Sequence, residues 1–355
     1  MNHVKTITFT IVLLSIISIV NLYNAKYLNI IYKYYYIKQL IFYILGLIIS
    51  ILLKKLNLKI LFKHSKYLYI FNILLLLLVL VYGQNINGSK AWFDFGFFSF
   101  QPSELMKYSL CIFLIEESYR NENKYKNILR LFIYTLIPTV LVFLEPDTGA
   151  IIFFIIPFLI LLFSKKIKWH FYLTSIILII TFTLLFTYFY IYNQDILIKL
   201  FGTSIFYRIE RIIDFKTNNY QLDLSLISIF SSNIIRNGFN NIWIYIPEAT
   251  TDFILAFIIG NYGLIMLPLI LFLYFILIKN ILKLSKKANK KTNYLIISFI
   301  FIIFIQTIIN VSMNIGLIPI IGINLPFLSY GGSNLIVNFI FIGTITSMVY
   351  KEDNL

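Results

Sequence analysis

The sequence predicts an all-α protein built from about ten membrane-spanning helices, and three observations carry that expectation. Hydrophobic residues fill 59% of the 355 positions, charged residues only 13%, and mean hydropathy is +0.85, far from the composition of a water-soluble domain. The apolar residues gather in ten stretches, near 6–23, 37–53, 67–82, 102–118, 129–144, 148–164, 171–192, 252–278, 294–313 and 334–349. Lys and Arg collect beside alternate ends of these stretches, the bias that marks cytoplasmic loops.

Crossing a hydrocarbon core about 30 Å thick takes about 20 apolar residues as a helix. Residues 1–23 have a short basic start and a long apolar run, but no small-residue cleavage site follows. They read as the first transmembrane helix. Several stretches are shorter than an average span and need snorkelling ends or local thinning of the bilayer. The stretch 102–118 has the least membrane-like character, because it contains Lys107.

An even number of spans puts both termini on one side. Twenty of the thirty Lys and Arg fall in the segments this assigns to the cytoplasm, including Lys54 to Lys66 and Lys279 to Lys291. Both termini are therefore expected to be cytoplasmic. A single transmembrane domain, 1–355, is expected, with a long extracellular loop at about 193–251. Within that loop, 207–236 has the pattern of a surface helix.

The formal charge of +15 is no footprint of nucleic acid. The Lys runs lie in short loops beside apolar spans, where insertion bias and anionic membrane lipid account for them. Cys111 is the only cysteine, so no intramolecular disulfide forms, and an apolar helix makes it an inert thiol. Ten of the fifteen carboxylates, among them Asp94, Glu104, Glu145, Asp147, Glu248 and Asp252, fall on the outer side. The centres of the spans hold almost no ionisable group, whereas a pathway for charged head groups needs some. Chemistry is expected at the outer surface.

Four motifs stand there. Gly88 to Asp94 runs on to Gln101-Pro102-Ser103-Glu104 and Lys107; locally, Pro102 and Ser103 open a helix, Glu104 meets its positive end and Lys107 pairs with Glu104. Glu145-Pro146-Asp147-Thr148-Gly149 is by itself a turn with capping residues. Pro247 to Phe253 holds Thr250 and Thr251, either of which can cap the helix that follows, so Asp252 is a carboxylate without a structural need. Asn314 to Pro319, followed by Leu325 to Ser333, is too rich in Gly and Pro for a helix and reads as an outer or re-entrant loop.

Together and in this order these motifs resemble the SEDS family, the shape, elongation, division and sporulation proteins that include RodA and FtsW. The likeness runs over most of the chain, taking in Lys38-Gln39, Lys90 to Lys107, Glu145-Pro146-Asp147, Arg208, Arg211, Tyr220-Gln221, the Asp252 motif and Ser329 to Ser333. Phe97 to Pro102 and Gly322 to Phe327 are more similar to RodA than to FtsW. Two departures bear on substrate detail and partner choice. Ser231-Ser232-Asn233 and Arg236-Asn237-Gly238 replace a Gly-rich stretch, and Gly260-Asn261 replaces an acidic pair.

The resemblance implies a SEDS-type, GT-C-like fold in the bacterial cytoplasmic membrane. The activity it implies is an inverting peptidoglycan glycosyltransferase that polymerises lipid II at the outer face in elongation or division, with polyprenyl pyrophosphate leaving. Such a reaction needs a base for the acceptor hydroxyl and positive charge for the pyrophosphate. Asp252 is the expected catalytic carboxylate, and Lys107, Arg208 and Arg211 are expected at the phosphates. Lys90, Trp92, Glu104, Ser329 and Ser333 are the further substrate contacts implied. Glu104 and Asp147 are candidate ligands for a divalent cation, Mg or Mn; no organic cofactor is expected. The implied partners are lipid II, membrane lipids and a class B penicillin-binding protein, the transpeptidase that crosslinks new strands. Two rival readings stay open, a flippase for lipid-linked precursors and a non-enzymatic scaffold.

Overall fold

The structure is a computed structural model that describes residues 2–55, 59–86, 89–120, 122–201, 220–236, 238 and 244–353. All ten apolar stretches are helical. The first seven correspond to α1 (Asn2–Ala25), α2 (Tyr35–Lys55), α4 (Ser65–Tyr82), α5 (Pro102–Ser118), α6 (Lys124–Leu144), α7 (Thr148–Ser164) and α8 (Trp169–Tyr192), with a single turn and a half, α3 (Lys59–Lys63), before α4. Then follow α9 (Gln194–Phe201), α10 (Tyr220–Phe230), α11 (Ile254–Tyr262), α12 (Met266–Leu284), α13 (Lys290–Asn314) and α14 (Gly332–Asp353). Among the described residues seven helices, α1, α2, α4, α6, α12, α13 and α14, are long and apolar enough to cross a membrane. Of the surface helix expected over 207–236, Tyr220–Phe230 is helical (α10), 231–236 is not, and 207–219, with Arg208 and Arg211, lies outside the described residues.

Two features depart from the expectation. The outer connection between α4 and α5 folds as a three-stranded antiparallel sheet of β1 (Gln84–Ile86), β2 (Ser89–Asp94) and β3 (Ser99–Phe100). Gln84 pairs with Trp92 and Phe93 with Phe100. The stretch 252–278 is also not one helix. Gly263 breaks it at φ +99°, where an added Cβ would sit 2.5 Å from the Ile234 carbonyl oxygen. The amides of Leu264 and Ile265 donate to Asn233 and Ile234 instead of to the preceding turn. Arg236 closes the end of α11, its Nη1 donating to Gly260 O at 3.1 Å and its backbone N to Tyr262 O at 2.9 Å. Only nine residues long, α11 is buried except at Tyr262, as a half-helix inside a bilayer must be.

The weakest of the predicted spans is the centre of the bundle. Fourteen of the 17 residues of α5 are buried, enclosed by α4, α6, α7, α13 and α14. A helix screened by five others meets little lipid, so it tolerates Glu104 and Lys107 provided they are paired. The buried hydrophobic cluster is continuous from Ile7 on α1 to Val349 on α14.

The two ends of the bundle differ. His3 Nδ1 lies 3.1 Å from Asn280 Oδ1, Lys291 meets Glu116 at 2.5 Å, and Thr292 Oγ1 approaches Met348 Sδ. Both ends of the chain therefore share one face with the Lys-rich loop between α12 and α13, which the charge bias makes cytoplasmic. The opposite face carries the sheet, the turns at 145–147 and 247–253, and the loop 315–331.

Candidate active site

At the outer face these turns enclose a cavity of about 500 Å³. Its walls bring together residues from three of the four motifs: Trp92 on β2, Glu104 in the first turn of α5, Asp147 before α7 and Asp252 before α11. The fourth motif supplies Asn324 and Tyr330.

Asp252 lies in the 247–253 turn, outside the helix. The helix begins at Ile254 with Phe253 as its N-cap and no side-chain cap, so neither Thr nor Asp252 spends its side chain there. Thr251 Oγ1 donates instead to Glu248 Oε2 at 2.7 Å. The Asp252 backbone is clamped from α13: Asn310 Nδ2 donates to its carbonyl at 2.8 Å and Asn314 Nδ2 at 3.0 Å. Asn310 Nδ2 also reaches Ile323 O at 2.7 Å, and Asn314 Oδ1 accepts from Ala256 N at 3.0 Å. Turn, loop and half-helix are thereby tied to one rigid element. Burial, then the charges of Glu248 and Asp147, pushes the Asp252 carboxyl up to about 7, the range in which a carboxylate serves as a base near neutral pH.

Asp147 caps α7 and is held from α5 and its approach. Gln101 Nε2 donates to Oδ2 at 2.6 Å, Ser103 Oγ to the same oxygen at 3.1 Å, and Ala150 N to Oδ1 at 3.4 Å. Its carboxyl is raised by burial and by the Glu104 charge. Glu145, fully buried at the end of α6, is pushed up to about 8 by burial and then by Asp147. Glu104 accepts from Lys107 at 2.6 Å and from Asn334 Nδ2 at 3.0 Å.

Several residues expected at the substrate are spent elsewhere. Lys107 does not line the cavity; it is paired with Glu104 and lies 4.9 Å from the Phe153 ring centre. Lys90 on β2 does not line the cavity; its Nζ donates to Val81 O at 3.1 Å, whereas Ser89 and Trp92 of the same strand do line it. Ser329 Oγ donates to Thr251 O at 2.7 Å and accepts from Leu325 N at 2.9 Å. Ser333 Oγ accepts from Gln101 N at 3.0 Å and donates to Ser99 O at 3.2 Å. Both hydroxyls are engaged as ties between backbone segments. Arg208 and Arg211 lie outside the described residues.

Sequence reasoning gave no role to the amides: Gln39, which donates to Ser329 O and accepts from Gly331 N, and Gln101, both within motifs, and Gln306, Asn310 and Asn314. The last three were detectable as a polar stripe at i, i+4 and i+8 on one face of an apolar span. As a divalent-cation site the arrangement fits poorly. Among the described residues no three His, Cys, Asp or Glu converge, and Glu104 and Asp147 already have an ammonium, amides and a hydroxyl on their oxygens.

A sequence model of the FtsW, RodA and SpoVE family, described as cell cycle proteins, matches residues 3–354. The chain belongs to this family. It is 31% identical over 342 residues to a probable peptidoglycan glycosyltransferase FtsW of Coxiella burnetii, covering 90% of this chain and 88% of that one. Two solved structures share the fold. One is a chain from a peptidoglycan synthase complex that coordinates polymerization and crosslinking (TM-score 0.79, 24% identity, 98% and 97% of the two chains). The other is the rod shape determining protein RodA of Thermus thermophilus (TM-score 0.69, 23% identity, 98% and 96%). The chain is thus a multi-pass protein of the bacterial cytoplasmic membrane with the SEDS fold. Its resemblance to RodA at Phe97 to Pro102 sits beside an FtsW name on the Coxiella relative, so those phrases do not sort it into either subgroup.

Proposed function

We propose that this chain is a peptidoglycan glycosyltransferase that polymerises lipid II at the outer face of the membrane, with Asp252 as general base. One observation carries the assignment: a carboxyl on the wall of the outer cavity, clamped through its backbone and tuned to about 7. Ionised, it takes the proton of the acceptor sugar hydroxyl while that oxygen attacks the anomeric carbon of the donor. The new glycosidic C–O bond forms, the bond to pyrophosphate breaks, and inversion follows from attack opposite the leaving group. Arg208 and Arg211 are assigned to the departing phosphates. Glu104 and Asp147 shape the acidic wall, and no step is routed through a cation. A class B penicillin-binding protein is the proposed partner, receiving the new strand for crosslinking.

The test is glycan synthesis from purified lipid II by parental protein and by Asp252→Asn, with the partner present. The variant keeps size and polarity but cannot accept a proton, and general-base assistance is typically worth about 10² to 10⁴ in rate. A loss of at least about a hundredfold in a stably inserted protein is expected. Near-parental synthesis would remove Asp252 from this role.

A further inference from the structure

The described residues lining the cavity include four carboxylates, Glu104, Asp147, Glu248 and Asp252, and no Lys or Arg. Glu104 is paired with Lys107 at 2.6 Å; the other three present like charge to a phosphate whenever they are ionised. The same walls carry aromatic rings, Tyr35 and Tyr330 stacked at 3.9 Å and, elsewhere on the lining, Trp92. Aromatic faces and short polar groups suit the alternating CH and OH surfaces of a sugar ring.

Three polar atoms of residues lining this cavity have no hydrogen-bond partner among the described residues: Thr250 Oγ1, Gln306 Oε1 and Asn324 Oδ1. Thr250 and Gln306 are 1% and 2% exposed. Buried polar groups are satisfied in the great majority of cases, and leaving one without a partner costs about 1–3 kcal/mol. All three surround the Asp252 turn. Thr250 is two residues before Asp252 and accepts Tyr330 N on its carbonyl at 2.8 Å. Gln306 is one helical turn before Asn310, which holds the Asp252 carbonyl. Asn324 follows Ile323, whose carbonyl the same Asn310 holds. Whichever way the two amides are turned, they offer neutral hydrogen-bonding groups to a neutral ligand.

We propose that Thr250, Gln306 and Asn324 form a saccharide subsite, hydrogen-bonding the hydroxyl and acetamido groups of the sugar whose hydroxyl faces Asp252. The inference rests on the glycosyltransferase reading and adds which groups of this cavity hold the acceptor sugar. A site that hydrogen-bonds a ligand leaves a particular signature on substitution. Removing an unpartnered polar atom in favour of an apolar one of similar shape leaves the empty protein as stable as before or more so, while ligand binding weakens.

The experiment uses purified full-length protein in nanodiscs, with fluorescent lipid II and fluorescent polyprenyl pyrophosphate as two separate probes. Parental protein, Thr250→Val, Gln306→Met and the double variant are compared by equilibrium binding and by thermal melting. Expected are a rise in Kd for lipid II of at least about tenfold in the double variant, an unchanged Kd for polyprenyl pyrophosphate, and a Tm equal to or above the parental value. Parental lipid II affinity in the double variant overturns the inference, as does a lowered Tm in the isosteric Thr250→Val, which would mark a structural partner. In either case lipid II polymerisation by parental protein leaves the glycosyltransferase reading standing. Parental protein that neither binds nor polymerises lipid II removes both.

Discussion

The side-chain amide of Asn310 donates to the backbone carbonyl of Asp252 at 2.8 Å, across 58 residues of sequence. The same nitrogen holds Ile323 O at 2.7 Å, so one side chain on α13 fixes both the turn that bears the carboxyl and the loop beside it. Asn310→Ala leaves Ile323 O without this donor, at about 1–3 kcal/mol where it stays buried, and leaves Asp252 O with Asn314 as its remaining side-chain donor. A Tm decrease is expected together with a fall in kcat for lipid II polymerisation, measured per folded molecule, that exceeds any change in KM. A variant with lowered Tm and parental kcat would show that the clamp does not position Asp252.

The ion pair between Lys107 and Glu104, with side-chain exposures of 4% and 11%, predicts an asymmetry. Lys107→Met strands a buried carboxylate and should destabilise the protein by about 3–5 kcal/mol. Adding Glu104→Gln should recover most of that loss, since Asn334 can still donate to the amide oxygen. Thermal melting of the single and double variants measures the recovery. Lipid II affinity decides the remaining question: it should survive in the double variant if Lys107 serves Glu104, and collapse if the ammonium meets phosphate.

Asp252 gives opposite pH trends for rate and stability. Its folded carboxyl, at about 7, lies above the unfolded value of about 3.9. Between those values the unfolded chain releases a proton that the folded chain keeps, so this group's contribution to stability falls as pH rises from about 4 to about 7 and is level above. The polymerisation rate should rise through the same upper limit, because only the ionised base works. Melting and initial rates across this range test both trends, and Asp252→Asn should flatten the stability component.

Gly322 sits at φ +76°, and a Cβ added there would lie 3.5 Å from Asp252 Oδ2. Gly322→Ala should cost about 1–2 kcal/mol from left-handed strain and lower kcat, because its methyl would lie in van der Waals contact with the carboxylate and take the place of solvent or substrate there. Gly316, at φ +74°, would place its Cβ against Leu226 and Leu222 instead. Gly316→Ala should carry the same strain with unchanged kcat. Equal kinetics in the two variants would assign the whole effect to the backbone.

The spans were legible because lipid imposes one requirement on every exposed residue, and a run of Leu, Ile and Phe satisfies it visibly. The gathering of Glu104, Asp147 and Asp252 was legible only through their shared side of the membrane, since about 40 to 150 residues separate them. The break at Gly263 was not, because remote carbonyls of Asn233 and Ile234 draw the chain out of the helix. Nor were the roles of Ser329 and Ser333: a hydroxyl looks the same in sequence whether it faces a ligand or ties down Thr251 and Ser99. The Gln306, Asn310 and Asn314 stripe was visible, but its division into two occupied rungs and one open rung needs the partners.

At the cytoplasmic face Lys291 on α13 is fastened to Glu116 on α5, and both helices run unbroken from there to the outer cavity, α5 with Glu104 in its first turn and α13 with Asn310 and Asn314 holding the Asp252 carbonyl. The two helices therefore resemble struts joined at a common foot, with α13 alone about 37 Å long at 1.5 Å per residue. Any change in the angle between the struts would alter the distance from Glu104 to the Asp252 turn.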